Sequence, residues 1–231
     1  MYKEMLRDLN VIDEVVIEVP DGKLVFKRVD DNKLRIIKTL RSFSKSTILN
    51  LNLEDSISLR PRQPSGNVIN TQHILVKFSE PITLLPKSSV SLNIKLPIDL
   101  GIFVRGILVD TIPLSMVKYS LYGPSDFGEL CRYVDRVIID STPKDFLGSL
   151  YITINSTYDD NLTVNKVVLP SEGLSIFVTK DDEVIFGDVN IKVISHNYVE
   201  VLTKSRTSLT RNELKYAGRA KELSYIMKFG V

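Results

Sequence analysis

The stretch Val15-Val16-Ile17-Glu18-Val19-Pro20-Asp21-Gly22-Lys23-Leu24-Val25-Phe26 decides the fold class of this protein. Apolar side chains recur at every second position, first in Val15, Ile17 and Val19 and again after the turn. A period of two is what a β-strand with one buried face produces. The intervening Pro20-Asp21-Gly22 is a turn sequence, because glycine can take the positive φ of a tight hairpin. The stretch therefore predicts a β-hairpin.

The same pattern continues outward along the chain. A third strand, residues 33 to 40, follows the turn Asp30-Asp31-Asn32, so the first forty residues predict a β-meander. From there to residue 194, strand patterns and turn sequences alternate every ten or so residues, which is typical of antiparallel sandwiches and barrels. No alternation of strands with helices occurs, which disfavours a parallel sheet with a nucleotide crevice. We predict a single, mainly β domain over residues 1–231, an antiparallel β-sandwich or open barrel.

The C-terminal tail, residues 204–231, departs from this pattern. Thr210-Arg211-Asn212-Glu213 matches a helix capping box, and apolar residues follow it at three-residue spacing from Leu214 to Leu223. We predict a short basic helix here, although Gly218 weakens it. Residues 224–229 fit either the continuation of this segment or a last strand.

Composition limits the class of protein. The 231 residues are 43% hydrophobic and 25% charged, which is enough apolar surface for folding without a partner. A net charge of +2 is too small for a whole-protein field that attracts nucleic acid. The single cysteine, Cys131, excludes an intrachain disulfide framework. The N-terminus is charged and no apolar run approaches the roughly 20 residues of a membrane span, so we expect a soluble, cytoplasmic protein.

Six short sequences, spread over nearly the whole chain, carry a resemblance to a known family. They are Ser79-Glu80-Pro81-Ile82, Lys95-Leu96-Pro97-Ile98, Gly101-Ile102-Phe103-Val104, Lys118-Tyr119-Ser120-Leu121-Tyr122-Gly123-Pro124, Gly128-Glu129-Leu130-Cys131-Arg132-Tyr133 and Tyr225-Ile226-Met227-Lys228-Phe229-Gly230-Val231. On these residues the chain resembles an uncharacterised archaeal family, domain of unknown function 432. The resemblance implies an archaeal, full-length, stand-alone domain. It implies no activity, cofactor or catalytic residue.

The segment from Lys118 to Val134 concentrates polar and aromatic chemistry, with Tyr119, Tyr122, Arg132 and Tyr133. Tyrosine rings can stack on a base or sugar while the guanidinium pairs with a phosphate or carboxylate. We predict these four residues as a site for a small anionic or aromatic ligand. The alternative is a strand and turn whose half-buried tyrosines have satisfied hydroxyls, a common role of tyrosine in β-proteins.

Cys131 lies in the same segment, but no catalytic motif surrounds it. A cysteine nucleophile needs a nearby base, and only His73 and His196 supply an imidazole. Neither histidine lies in a motif, so a buried structural cysteine is favoured. Two distant histidines and one cysteine lack the spacing of zinc sites, and the glycines form no phosphate loop. We predict no catalytic residue, no metal and no cofactor.

Basic residues form two groups along the chain. Residues 204–231 contain seven Lys and Arg against two Glu. We predict a polyanion-binding set in this tail, made of Arg206, Arg211, Lys215 and Arg219. The second group is Lys38, Arg41, Lys45, Arg60 and Arg62. If both groups share one face, they can contact a nucleic-acid backbone or an anionic membrane surface; the alternative is an ordinary solvated surface.

Three hypotheses for function follow. The first is a non-enzymatic β-sandwich that acts as a binding or interaction module, with a homo-oligomer or a protein partner through exposed strand edges or through the tyrosine-rich segment. The second is a nucleic-acid or anionic-surface binder that uses the basic C-terminal tail. The third is an enzyme that acts through residues Tyr119 to Tyr133. The sequence leaves the ligand and the partner open.

Overall fold

A computed structural model describes residues 6–41, 43–52, 54–65, 71–137, 139, 146–205, 210 and 213–231 of the chain. Within these ranges the chain contains twenty β-strands and one turn of 3-10 helix at Ser171–Gly173. The mainly β prediction is therefore confirmed. None of the described ranges contains a helix with the length and hydropathy needed to cross a membrane. The chain divides into two compact units, Met1–Arg62 with Asp99–Ser115, and Gln63–Ile98 with Met116–Val231.

The first unit consists of two four-stranded antiparallel sheets. Its strands are β1 (Asp8–Leu9), β2 (Glu14–Val19), β3 (Gly22–Asp30), β4 (Lys33–Leu40), β5 (Phe43–Asn50), β6 (Ile57–Arg62), β9 (Asp99–Val104) and β10 (Ile107–Pro113). β2 to β5 pair in chain order, which confirms the predicted hairpin and meander. The other sheet has the order β1-β6-β9-β10. Leu24, Phe26 and Leu34 of the meander have no exposed surface, as the alternating pattern predicts for the core face.

The second unit also consists of two sheets. Its strands are β7 (His73–Leu84), β8 (Ser89–Pro97), β11 (Lys118–Tyr122), β12 (Glu129–Val137), β13 (Leu147–Ser156), β14 (Leu162–Pro170), β15 (Ile176–Thr179), β16 (Val184–Phe186), β17 (Val189–Ser195), β18 (Tyr198–Thr203), β19 (Leu214–Gly218) and β20 (Ser224–Met227). The smaller sheet has the order β11-β12-β7-β14. The larger sheet has the order β19-β15-β16-β13-β17-β18-β20, and β8 pairs with β13.

The expectation of purely antiparallel sheets is wrong for three strand pairs. β12 runs parallel to β7, and β13 runs parallel to both β16 and β17. Parallel neighbours need a long connection, and a crossover helix is its usual form. Here other strands form the connection instead, since β14, β15 and β16 lie between β13 and β17 in the chain. The lack of helical patterns in the sequence therefore did not exclude parallel pairing.

The predicted C-terminal helix is also wrong, because Leu214–Gly218 is the edge strand β19, paired antiparallel with β15. Only one half of the capping box forms: Thr210 N and Oγ1 donate to Glu213 Oε2 at 2.7 and 2.6 Å. Pairing with β15 provides hydrogen bonds for the backbone N–H and C=O groups that would otherwise bond within a helix. This pairing outweighs the helix propensity of the local sequence. Residues 224 to 227 form the strand β20, which was one of the two predicted alternatives.

The end of the tail packs against the turn that follows β11. Tyr122 Oη accepts a hydrogen bond from Phe229 N and donates one to the carbonyl oxygen of Gly230, both at 3.0 Å. The rings of Tyr122 and Phe229 lie 5.3 Å apart in an edge-on arrangement. Gly123 has a φ of +107°, and a Cβ atom there would lie 2.5 Å from the Phe229 ring. This contact requires glycine for both conformation and space.

We expect Gly123→Ala to lower the free energy of unfolding by about 2–4 kcal/mol, because a side chain is strained at this φ and displaces Phe229. Gly230→Ala is the matched control: its φ is also positive, +79°, but the nearest atom to an added Cβ is 3.7 Å away. The control substitution should lower the free energy of unfolding only by the cost of placing a side chain at positive φ, about 1–2 kcal/mol. Urea unfolding of both variants measures the difference, and equal losses would contradict the proposed ring contact.

Candidate ligand site around Glu129

The four residues predicted to bind a ligand lie on both faces of the sheet that contains β11 and β12. In the antiparallel pairing of these strands, Tyr122 lies opposite Glu129 and Tyr119 lies opposite Arg132. Successive residues of a strand point to opposite faces. Tyr122 and Tyr133 therefore share one face, and Tyr119 and Arg132 share the other. The structure does not bring the four side chains together.

Arg132, Tyr122 and Tyr133 are hydrogen-bonded within the chain. Arg132 is 1% exposed, and its Nη1 donates to the carbonyl oxygen of Ser65 at 2.7 Å. Tyr122 is equally buried and binds the C-terminal tail as described above. The Tyr133 hydroxyl donates to Asp135 Oδ1 at 2.9 Å. A ligand site formed by these residues remains a prediction, and the hydrogen bonds give them structural roles.

A different group of polar side chains converges on Glu129. Tyr225 Oη donates to Glu129 Oε2 at 2.7 Å, and His73 Nδ1 lies 3.2 Å from the same oxygen. The rings of His73 and Tyr225 are tilted by 42° to each other, with their centroids 4.4 Å apart. We call Glu129, His73 and Tyr225 the acid-imidazole cluster. All three residues belong to the second unit.

Strand pairing positions each member of the cluster. β12 pairs in parallel with β7 so that Cys131 lies opposite His73. Glu129 precedes Cys131 by two residues and therefore points to the same face, beside the start of β7. Tyr225 lies in β20, which belongs to the larger sheet of the unit. The amide of Val168 in β14 donates to Met227 Sδ in β20 at 3.4 Å, which links the two sheets next to the cluster.

The cluster carries a negative charge beside a neutral imidazole. Burial lowers the pKa of His73, and the opposing effect of the Glu129 charge is smaller. A neutral imidazole next to a carboxylate carries its proton on Nδ1, which leaves a lone pair on Nε2. Burial also raises the pKa of Tyr225, and its hydrogen bond to Glu129 adds to this, so the phenol remains a donor.

Two acceptor atoms of the cluster remain available. The side chains of Glu129 and His73 keep 39% and 18% of their surface exposed. Within the part of the chain that the structure describes, neither Glu129 Oε1 nor His73 Nε2 has a hydrogen-bond partner. The hydrogen bond from Tyr225 and the contact with His73 both use Oε2. The cluster therefore presents two acceptors that are held in place by Tyr225 and by the strand register.

Cys131 lies opposite His73 but is not a nucleophile in this environment. The thiol has no exposed surface, and burial raises its pKa to about 12, with a further contribution from the charge of Glu129. A thiol with this pKa is protonated at neutral pH, and only a thiolate attacks efficiently. The burial agrees with the structural cysteine that the sequence favours.

We expect the Cys131 thiol of the folded protein to react with 5,5′-dithiobis(2-nitrobenzoate) at least about a hundred times more slowly than a free thiol at pH 8, because both access and ionisation are suppressed. The release of the coloured thiolate, followed by absorbance, measures the rate. In guanidinium chloride one thiol per chain should react at the normal rate. Rapid reaction of the folded protein would contradict the burial of Cys131.

The lowered pKa of His73 predicts that acid destabilises the protein. The unfolded chain binds this proton near pH 6.5 and the folded chain only at lower pH, so stability falls as the pH drops below 6.5. The loss at pH 5.5 relative to neutral pH is at most about 1.4 kcal/mol. Urea unfolding at both pH values should show a smaller decrease for His73→Gln than for the wild type. His196→Gln is the control, and an identical change in both variants would exclude His73 as the cause.

The predicted polyanion-binding residues of the tail are described only in part. Arg206 and Arg211 lie outside the described residues. Lys215 and Arg219 are exposed: Lys215 is the second residue of the edge strand β19, and Arg219 follows its last residue. Lys215 Nζ lies 2.7 Å from Asp182 Oδ1. One of the two described cations is therefore paired with a carboxylate. Polyanion binding by the tail remains a prediction.

The second basic group belongs to the first unit, and Lys38, Arg41 and Arg60 each form an ion pair. Lys38 is 4% exposed, so its charge is used inside the unit and is not available to a polyanion. The three pairs are Lys38 with Asp110, Arg41 with Asp21, and Arg60 with Asp8.

Sequence reasoning missed the cluster because its members are far apart in the chain. His73 was considered only as a base for Cys131, and neither Glu129 nor Tyr225 was considered as a site residue. The one available signal was the position of Glu129 inside the tyrosine-rich segment. Within the described ranges, no group of three or more His, Cys, Asp or Glu side chains is arranged to hold a metal ion.

Comparison with known families gives a match over residues 5–228 to the family described as Protein of unknown function (DUF432). The chain belongs to this family. The match covers nearly the whole chain and confirms the resemblance that the short sequences indicate. No curated protein and no solved structure matches the chain. Membership of DUF432 therefore identifies no activity or ligand for the chain.

Proposed function

We propose that this DUF432 protein is a binding module and that the acid-imidazole cluster holds its ligand. The observation that carries the proposal is the Glu129 carboxylate, which accepts a hydrogen bond from Tyr225 through Oε2 and keeps 39% of its side chain exposed. A carboxylate that serves only to join two sheets has no need of this exposed surface. Its orientation by Tyr225 and His73 lowers the entropy that a ligand would lose on binding.

The chemistry of the two available atoms defines the ligand. Glu129 Oε1 and His73 Nε2 both accept hydrogen bonds, so the ligand must present donors. The cluster has a net negative charge, which favours a cation and repels a phosphate or carboxylate. Charge-assisted hydrogen bonds to a carboxylate are about twice as strong as neutral ones. We therefore propose an amine, amidine or guanidine group on the ligand, in place of the anionic ligand that the tyrosine-rich segment indicates.

Benzamidine and benzoate are matched probes for this proposal, because both are flat aromatic compounds and only the first presents donors and a positive charge. We expect benzamidine to bind with a Kd of about 1 mM, as is usual for a ligand of its size. Two-dimensional NMR should show shifts of the backbone amides of His73, Glu129 and Tyr225. Benzoate should cause no shifts at the same concentration.

Glu129→Gln should abolish the benzamidine shifts, because the amide keeps the shape of the side chain and removes its charge. Glu172→Gln is the matched control: Glu172 is an exposed glutamate of the same unit, and its loss should leave binding unchanged. Thermal unfolding verifies that both variants are folded. Equal binding of benzamidine and benzoate, or binding that survives Glu129→Gln, would overturn the proposal.

A further inference from the structure

The strand β11 lies at the edge of the smaller sheet of the second unit. It pairs with β12 on one side, and among the residues that the structure describes no strand pairs with its other side. The N–H and C=O groups along such an edge can form hydrogen bonds with a strand of another chain. The outer edge of β11 is therefore a candidate interaction surface.

Exposed apolar side chains surround this edge. Leu121 and Leu130 lie directly opposite each other in β11 and β12, and each is 40% exposed. Phe127, in the turn between the two strands, is 68% exposed, and Met116, two residues before β11, is 72% exposed. A group of large apolar side chains with this exposure is typical of an interaction site.

The two ends of the edge carry opposite charges. Lys118 is the first residue of β11, and Asp126 lies in the turn that follows the strand. Both side chains are exposed, and neither forms an ion pair with another described residue. Asp126 Oδ1 accepts one hydrogen bond, from Ser125 Oγ at 3.0 Å. Met116 thus lies at the positive end of the edge and Phe127 at the negative end.

We propose that two copies of this chain form a dimer in which the β11 edges pair antiparallel about a two-fold axis. The start of one strand then lies beside the end of the other. Lys118 of each copy comes near Asp126 of the other, and Met116 comes near Phe127. Parallel pairing would bring like charges together. Because a two-fold axis repeats every contact, an edge with opposite ends is complementary to itself, which favours a second copy over an unrelated partner.

The same arrangement extends the apolar face of the sheet. With Ser120 on the axis, Leu121 of one copy lies opposite Tyr119 of the other, and residues opposite each other on one face are in contact. Leu130, Leu121 and Tyr119 then form a continuous row across both copies. Because β11 is only five residues long, we expect a small interface and a reversible dimer, with a Kd on the order of 10 µM.

This interface is separate from the proposed ligand site. Glu129 and Leu130 are successive residues of β12, so their side chains point to opposite faces of the sheet. Substitutions of Lys118 or Asp126 should therefore leave the benzamidine shifts unchanged. Loss of the dimer with benzamidine binding intact, or the reverse, shows which of the two proposals fails.

A charge swap tests the dimer, with its Kd measured by sedimentation equilibrium over concentrations on both sides of the expected value. Lys118→Asp and Asp126→Lys should each weaken the dimer at least about tenfold, because two like-charge contacts replace two ion pairs. The double variant should return the Kd to within a factor of about three of the wild type. Lys192→Asp and Asp160→Lys are matched controls at exposed positions of the same unit, and they should leave the Kd unchanged.

Hydrogen exchange followed by mass spectrometry identifies the strand that pairs. Residues 118–122 should exchange more slowly as the concentration rises above the Kd, because their outward amides become hydrogen-bonded. Residues 107–113 of β10, an edge strand of the first unit with Ile107 also exposed, should show no change. Circular dichroism verifies that the variants are folded. A chain that stays monomeric, a double variant that does not recover the dimer, or protection at β10 in place of β11 would overturn the proposal.

Discussion

The hydrogen-bond register between the parallel strands β7 and β12 is the constraint on which the candidate site depends. It sets Cys131 opposite His73, and it therefore sets Glu129 on the same face at the start of β7. A shift of one residue would turn every side chain of β12 to the other face of the sheet. Arg132 would then take the place of Cys131, and the carboxylate would point away from the imidazole. The register is thus as important for the chemistry as the residues themselves.

Buried charges in this protein are handled in two ways. Arg132 and Lys38 are almost completely buried and are bonded to groups inside their own units, a carbonyl oxygen for Arg132 and a carboxylate for Lys38. An unpaired charge in these positions would cost several kcal/mol. Glu129 is different, because it is paired through one oxygen and still partly exposed. Arg132 and Lys38 therefore stabilise the fold, whereas Glu129 can contact a ligand.

Sequence patterns predict contacts between neighbouring residues well and contacts between distant residues poorly. The hairpin at residues 14–30 was predicted correctly, because its turn and its alternating strands are neighbours in the chain. Thr210 and Glu213 are hydrogen-bonded to each other, but the helix that this pair predicts is replaced by a strand in the described residues of the tail. The strand β15, more than thirty residues earlier, offers an edge to which Leu214–Gly218 pairs. Local propensity of a few tenths of a kcal/mol per residue cannot compete with such pairing.

The sequence by itself determined the strand content, the hairpin and the lack of a recognisable catalytic motif, because these follow from periodicity and from spacing along the chain. Only the tertiary structure decided which polar residues meet. The tyrosine-rich segment divides between two faces, and Glu129 of this segment joins His73 and Tyr225, which are 56 and 96 residues away in the chain. The physical reason is that strand register and the packing of two sheets bring distant residues together, and neither is encoded in a local pattern.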